Sequence, residues 1–378
     1  MSIQRLTAIA RKELIQIWRD RRSLWIALFM PIMQMGLIGY GASLDIKHVP
    51  VCVSDREGSQ ESQDLLKRFQ ASVYFDLVGS VADDRALTAA IDSGRCRIAL
   101  VVPPDFSRRL RDAGGSSVQA VVDGTDDNSA NVAIAYAQAV ISGYSADLRL
   151  DFMRQHGLGA QAAAPLAVEP RVWFNEDLQS RAFIIPGVVA MVMALIGALL
   201  SSLTIAREWE RGTMELLIST PVRPMEIMLG KLVPYFGIGL LDAALCATIA
   251  VGWFQVPFRG SLVMLLGTAA LFLIVVLGVG YIISVLTRNQ LGASQIALLV
   301  TLLPTTLLSG FAFPIDQMPA PIRVLTYLVY GRYYVTILKA IFLKGAGPQD
   351  LLAPILALVV YAVAIGALAA RAFRKRLV

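Results

Sequence analysis

The sequence predicts a polytopic α-helical membrane protein, with six transmembrane helices plus one external domain of α/β (α+β) type. Three observations carry that prediction. Residues 23–44, 183–206, 260–287, 289–315 and 351–370 hold no charged side chain, and residues 232–253 hold only Asp242. About 20 apolar residues suffice for a helix to cross the hydrocarbon core, and soluble helices of that length show a polar face that these lack. Apolar residues make up 56% of the chain and charged ones 16%. A chain of 378 residues could not bury six such helices in one soluble core, so that class is excluded. Finally, charge is split. Residues 45–180 hold 19 acidic and 13 basic residues, whereas the remainder holds 21 basic and 9 acidic.

The elements follow in order. Residues 1–22 read as a cytoplasmic amphipathic elbow helix. Leu6, Ile9, Leu14 and Ile17 recur near the helical period, and Arg5, Lys12 and Arg19 share another face. Trp18 and Trp25 mark a membrane boundary, where indole rings favour the interface. The helix can lie on anionic lipid, touch a partner, or do both. The first span, 23–44, is too long for a signal-peptide core and no small-x-small cleavage site follows it, so it is expected to be retained. The remaining spans are 182–206, 232–253, 260–287, 289–313 and 351–370. A proline-marked segment at 314–345, with Arg323, Arg332 and Lys339 among aromatic residues, is too charged to span. It reads as an outer re-entrant or interfacial helix pair, because broken helices at membrane depth need shielding by protein.

Basic residues flank spans on the cytoplasmic side. Arg5, Arg11, Lys12, Arg19, Arg21 and Arg22 precede the first span. Arg207, Arg211, Arg223 and Lys231 lie between the second and third, and Arg371, Arg374, Lys375 and Arg376 form a basic tail at 371–378. Six crossings put all three groups inside, with both termini cytoplasmic and residues 45–181 outside.

That external segment is long enough for one domain. Strands are expected at 49–53, 74–78, 97–102 and 118–122, with a last one at 168–174. Helices are expected at Gln60–Ala71, 85–93, 106–113 and 129–155, an alternation that suggests a layered α/β or α+β fold. No catalytic constellation is visible. His48 and His156 are the only histidines, and both sit at the domain's edges. Asp123, Asp126 and Asp127 with Gly124 and Asn128 lack the closing Glu of a calcium loop and read as a helix-capping turn, so no metal site is expected. Cys52 and Cys96 fall in predicted strands. Two buried thiols are the favoured reading, with a disulfide as the alternative.

Within the membrane Asp242 stands alone, and a lone carboxyl makes a poor relay. A protonated or hydrogen-bonded structural group is favoured over a coupling site. Gln34 and Gln295 read as interhelical hydrogen-bonding groups more readily than as a pathway.

The loop at 207–231 is the most informative short segment. Pro221 stops a short helix at or before Thr220. Pro224 suits the first position of a second short helix, with Glu226 near its positive end. The result is a stiff charged corner exposing Leu216, Leu217 and Ile218, more than a connector needs, and it suggests a docking surface. The pattern Glu208-x-Glu210-x-Gly212-Thr213-x-Glu215, then Thr220-Pro221, Glu226-Ile227 and Gly230-Lys231, resembles the coupling loop of ABC-2 type (type V fold) exporter permeases. Arg11-Lys12-Glu13 with Arg19-Asp20-Arg21-Arg22 and Pro31 is similar to that family's elbow and first span. Leu308-Ser309-Gly310-Phe311 with Phe313-Pro314 and Met318-Pro319 is similar to its outer segment. The resemblance covers essentially the whole chain, in the branch with a large external domain. Tyr330-Gly331-Arg332-Tyr333 departs from it, since a proline is expected before the aromatic pair.

The resemblance implies a permease subunit that exports a hydrophobic or amphipathic compound, drugs included, and couples to ATP hydrolysis on a separate subunit. Contact with that ATPase would fall to Arg207, Glu208, Glu210, Arg211, Gly212, Thr213, Glu215, Leu216, Thr220, Pro221, Glu226 and Lys231. Arg11, Lys12, Glu13, Arg19 and Asp20 would form the elbow, and Gly310, Phe311, Phe313 and Pro314 the outer gate. Implied partners are two ABC ATPase subunits, a second permease chain, identical or homologous, a periplasmic adaptor and the lipid bilayer, with no nucleic acid. The implied location is the bacterial cytoplasmic (inner) membrane. Independently, no phosphate loop exists, because Gly230-Lys231 is followed by Leu232 where Ser or Thr is required. This chain is therefore expected to bind no cofactor and to be no enzyme by itself, with ATP and Mg on the partner. The rival classes are a membrane-anchored receptor or scaffold, which has no need of the acidic elbow, and a proton- or cation-coupled carrier working through Asp242.

Overall fold

A computed structural model describes residues 2–41, 48–111, 116–125, 127–155 and 180–372. The expected strand at 168–174, His156, Asp126 and the tail from 373 lie outside these residues. The chain divides into two compact units, Met1–Ser43 with Arg171–Val378, and Leu44–Pro170.

The second unit is built on β1 (Val49–Asp55), β2 (Phe75–Ser80), β3 (Ile98–Val102) and β4 (Gln119–Val122), in the sheet order β2-β1-β3-β4. The first three strands run parallel, and β4 pairs antiparallel to β3. Parallel neighbours need crossover helices. These are α3 (Gln60–Ala71) and α4 (Asp84–Asp92), while α5 (Phe106–Arg111) precedes β4 and α6 (Asp127–Gln155) follows it. The two-residue period of a strand decides the faces. Val49, Val51, Val53, Ile98, Leu100 and Val102 pack with Leu65 and Phe69 of α3 and with Ala133 and Ala137 of α6. The alternate positions Cys52, Ala99 and Val101 pack under Leu87 and Ala90 of α4. Ser59 and Asp83 start α3 and α4 by accepting hydrogen bonds from the amides of Ser62 and Ala86, the role such residues take at N-caps. One expectation is corrected here. Cys52 and Cys96 are not two thiols but a disulfide, with Cα atoms 5.7 Å apart. The parallel pairing of β1 with β3 brings the cysteines together, because Cys52 lies opposite Ala99 and Cys96 ends the turn that leads into β3.

The first unit is helical. It comprises α1 (Ile3–Arg19), α2 (Arg21–Gly41), α7 (Ser180–Glu210), α8 (Met214–Ser219), α9 (Pro224–Gly252), α10 (Leu262–Thr287), α11 (Gln290–Ala297), α12 (Leu303–Leu307), α13 (Ala320–Leu325), α14 (Tyr330–Lys339) and α15 (Leu352–Ala372). Among the described residues five helices are long and apolar enough to cross a membrane, namely α7, α9, α10, the run Gln290–Leu307 and α15; within α2, Trp25–Gly41 is a shorter apolar helix. Helix α7 is the hub, buried almost continuously from Ala182 to Glu208. Small residues let α10 close on it. A Cβ at Gly280 would lie 2.0 Å from Ser201 Oγ, and Ser284 Oγ accepts from the Ile205 and Ala206 amides at 2.9 Å. Helix α15 is peripheral and exposes Leu356, Val360 and Val363, as a lipid-facing helix can.

Three boundaries differ from expectation. The helix after Pro224 is not short but runs on as α9, because nothing between Pro224 and Gly252 except Pro234 interrupts it, and an isolated proline is accommodated in a long helix. Likewise α7 continues past the uncharged stretch to Glu210. The run from residue 289 is helical only to Leu307, with a π-helical stretch at Leu298–Leu302. Gly310 then takes a left-handed φ of 80°, and residues 308–313 form a bend.

Candidate coupling site and outer gate

Two groups of residues that lie far apart in sequence meet in one charged cluster. Gly230 opens the way. A Cβ there would fall 2.8 Å from Ile9, so its absence lets α1 lie against α9. The next residue, Lys231, is then buried between α1 and α7. Its Nζ donates to Glu13 Oε1 at 2.5 Å, to Glu208 Oε1 at 3.0 Å and to the Thr204 carbonyl at 3.4 Å. Lys12 reaches the same Glu208 oxygen at 2.8 Å, and Thr213 Oγ1 donates to the other one. Arg207 pairs with Asp20 at 3.3 Å.

Lys231 is 1% exposed, and the side chains of Glu13 and Glu208 are 2% and 6% exposed. Burying charges costs several kcal/mol per ion unless geometry and hydrogen bonds offset it. Here two ammonium groups face two carboxylates, so the cluster is neutral and its donors are used. Through it α1, α7 and α9 are tied to one another.

Two other carboxylates of the expected coupling set, Glu226 and Glu210, serve neighbouring helix starts. Glu226 accepts from the amides of Arg223 at 2.9 Å and Ser2 at 2.7 Å, which ties the start of α1 to the start of α9. Arg5 donates to the Pro221 carbonyl. Glu210 accepts from the Gln290 amide at 2.9 Å and from its side chain, at the start of α11. Gly212 takes a left-handed φ of 67° in the turn between α7 and α8. Met214 anchors α8 in an apolar nest with Ile205, Ile227 and Tyr281. Glu215, Leu216, Thr220 and Pro221 remain exposed, as do Arg211 and the elbow's Arg11 and Arg19. Leu217 and Ile218, expected to be exposed, are half-buried against the same nest, because a six-residue helix seated by Met214 turns one side inward. The free face is therefore centred on Leu216, which is 69% exposed.

The intramembrane polar residues do not converge. Asp242 is buried, with Oδ1 3.6 Å from Cys246 Sγ and Oδ2 without a hydrogen-bond partner among the described residues. Gln34 Oε1 is also unpartnered, and Gln295 is exposed. Neither glutamine makes the interhelical bond expected of it among the described residues. At the other end of α7, Phe311 is buried over Gly187, where a Cβ would stand 2.2 Å from its ring, while Phe313 and Pro314 are exposed. Helix α14 begins at Tyr330 without the expected proline. Gly331 packs on Thr305, and Tyr334 stacks on Phe272 at 4.0 Å. Among the described residues no group of His, Cys, Asp or Glu could hold a metal ion.

The profile of the family described as ABC-2 family transporter protein matches residues 21–371. The chain belongs to that family. It is similar to the "Probable multidrug ABC transporter permease YbhS" of Escherichia coli strain K12, with 38% identity over 96% of this chain and 95% of the relative. It is also similar to the "Probable multidrug ABC transporter permease YbhR" of the same strain, at 28% over 98% and 99%, and to its "Inner membrane transport permease YhhJ", at 26% over 96% and 95%.

In this ABC-2 chain the loop and the elbow, read separately from sequence, are two halves of one structure. Sequence reasoning missed Thr204, Gln290 and Ser2 as partners and did not link Arg5 to Pro221. The one signal available was Lys231 itself, a lysine set directly after a glycine at the start of an apolar run. Gly187 and Lys339, which contact the bend at 308–313, and Phe183, whose ring meets Lys339, carried no motif.

Proposed function

We propose that this chain is the membrane-spanning permease subunit of an exporter driven by ATP hydrolysis on a separate subunit. Its cargo is a hydrophobic or amphipathic compound of the kind multidrug permeases carry. The observation that carries this reading is the neutral cluster of Lys231, Glu13, Glu208 and Lys12 next to α8. A push on the exposed Leu216 face is relayed through Thr213 to Glu208, and from there to three helices at once. The names of the relatives support the transport class.

In this reading two such chains, identical or homologous, pair with two ATPase subunits in the bacterial inner membrane. Helix α2 acts as the sixth span, both termini and α8 face the cytoplasm, and residues 45–181 face outward, where they can meet a periplasmic adaptor. The Cys52–Cys96 disulfide supports that side, since such bonds persist in oxidising compartments.

The test is uptake of a fluorescent amphipathic dye into inverted membrane vesicles holding this chain with its ATPase subunit. Uptake requires ATP in this account. Leu216→Glu lowers it by about tenfold or more, the loss typical of one central interface anchor, while the permease still reaches the membrane. Uptake that persists without ATP contradicts the proposal.

A further inference from the structure

Beside the first turns of α7 lies a lysine with no counter-ion among the described residues. Lys339 ends α14 and is half-buried. Its Nζ donates to the Gly310 carbonyl at 2.7 Å and stands 3.4 Å from the centre of the Phe183 ring. Among the described residues no carboxylate lies within ion-pair distance of it. A cation at such a site is held by a carbonyl dipole and an aromatic face, both weaker than a carboxylate.

Three elements meet at this point. Gly310 belongs to the bend at 308–313 and takes the left-handed conformation. Its neighbour Phe311 is 7% exposed and fills the notch at Gly187. Phe183 and Gly187 are four residues apart on α7 and so share a face. The ring and the notch lie side by side, Lys339 over one and Phe311 in the other. The bend thus has a steric seat and, next to it, a single polar tie.

We propose that Lys339 is a positioning residue of the outer gate, a latch that keeps the 308–313 bend seated against α7 until the helices move. This rests on the exporter reading and adds to it a residue with a defined task. A carboxylate partner would make the tie permanent, as at Lys231. A carbonyl and a ring hold the bend and let go, because water can take over both interactions once the seat opens.

The test uses the intact complex in cells and a membrane-impermeant maleimide. Ser309→Cys reports the inside of the seat, since Ser309 is 1% exposed, and Ala312→Cys reports the exposed rim. Background is low, because Cys246 is buried and the other two cysteines are bonded to each other. In the resting complex Lys339→Met speeds labelling of Ser309→Cys by about tenfold, the order expected from losing a charge-assisted hydrogen bond and a ring contact. Lys339→Arg leaves it near the parental rate, and Ala312→Cys labels alike in all three backgrounds. Phe183→Leu, which keeps the apolar volume, gives a smaller rise and serves if Lys339→Met does not reach the membrane. Equal Ser309→Cys labelling in every background, with Ala312→Cys labelled, overturns the latch alone. Absence of Ala312→Cys labelling overturns the outward placement on which the exporter reading stands.

Discussion

Two lysines at opposite ends of the helical unit show how the same side chain is put to two uses. Lys231 is fully buried and has two carboxylates and a backbone carbonyl. Lys339 is half-buried and has a carbonyl and a phenyl ring. The first sits where three helices must keep one register, and the second where a bend follows a broken helix. Full pairing makes a joint, and partial pairing makes a contact that can be exchanged for water.

The comparison can be broken most forcefully at Lys231. Lys231→Met leaves Glu13 and Glu208 buried, with Lys12 and the Thr213 hydroxyl still on Glu208 and Glu13 without its ammonium partner. Removing one partner of a buried ion pair typically costs about 3–5 kcal/mol, so the permease should lose most of its yield from membranes or its resistance to thermal aggregation in detergent. Changing Glu13 and Glu208 to Gln in the same variant removes the orphaned charges and should restore much of the loss, because neutral replacement of a whole buried pair is often tolerated. A stable single variant would show that the cluster is dispensable.

The comparison is sharpened by two smaller changes measured in the same melting assay. Lys12 shares Glu208 but is half-exposed, so Lys12→Met should cost about 1 kcal/mol or less, as water-accessible pairs do. Lys339→Met should likewise change stability little, at about 1 kcal/mol or less, since it orphans no opposite charge. A cost at Lys339 equal to that at Lys231 would erase the distinction between joint and latch.

What could be read from sequence follows from range. The apolar helices were legible because charge is absent over whole runs, and hydrocarbon tolerates little else. The strands and helices from Val49 to Val122 were legible to within a few residues because their periodicity is local. The helix–loop edges at Leu307 and Glu210 were not, since an uncharged stretch does not say where helix gives way to bend, nor does a charged residue say where a helix must stop. The candidate site was half legible. Its residues were named, but as a charged corner for docking a partner. The structure turns Glu208 inward and gives Glu210 and Glu226 to helix starts, because their partners Lys231, Gln290 and Ser2 come from other elements. The disulfide depended on strand pairing in the same way, since two cysteines 44 residues apart become neighbours only when β1 and β3 run side by side.

The central claim is that the Leu216 face of α8 receives the ATPase subunit. The direct measurement is zero-length or short-arm cross-linking from Leu216→Cys in the purified complex, with Val73→Cys, an exposed position of the sheet unit, as the control. The account predicts a covalent adduct between Leu216→Cys and the ATPase subunit and none from Val73→Cys. An assembled complex in which Val73→Cys captures the ATPase and Leu216→Cys does not would contradict it.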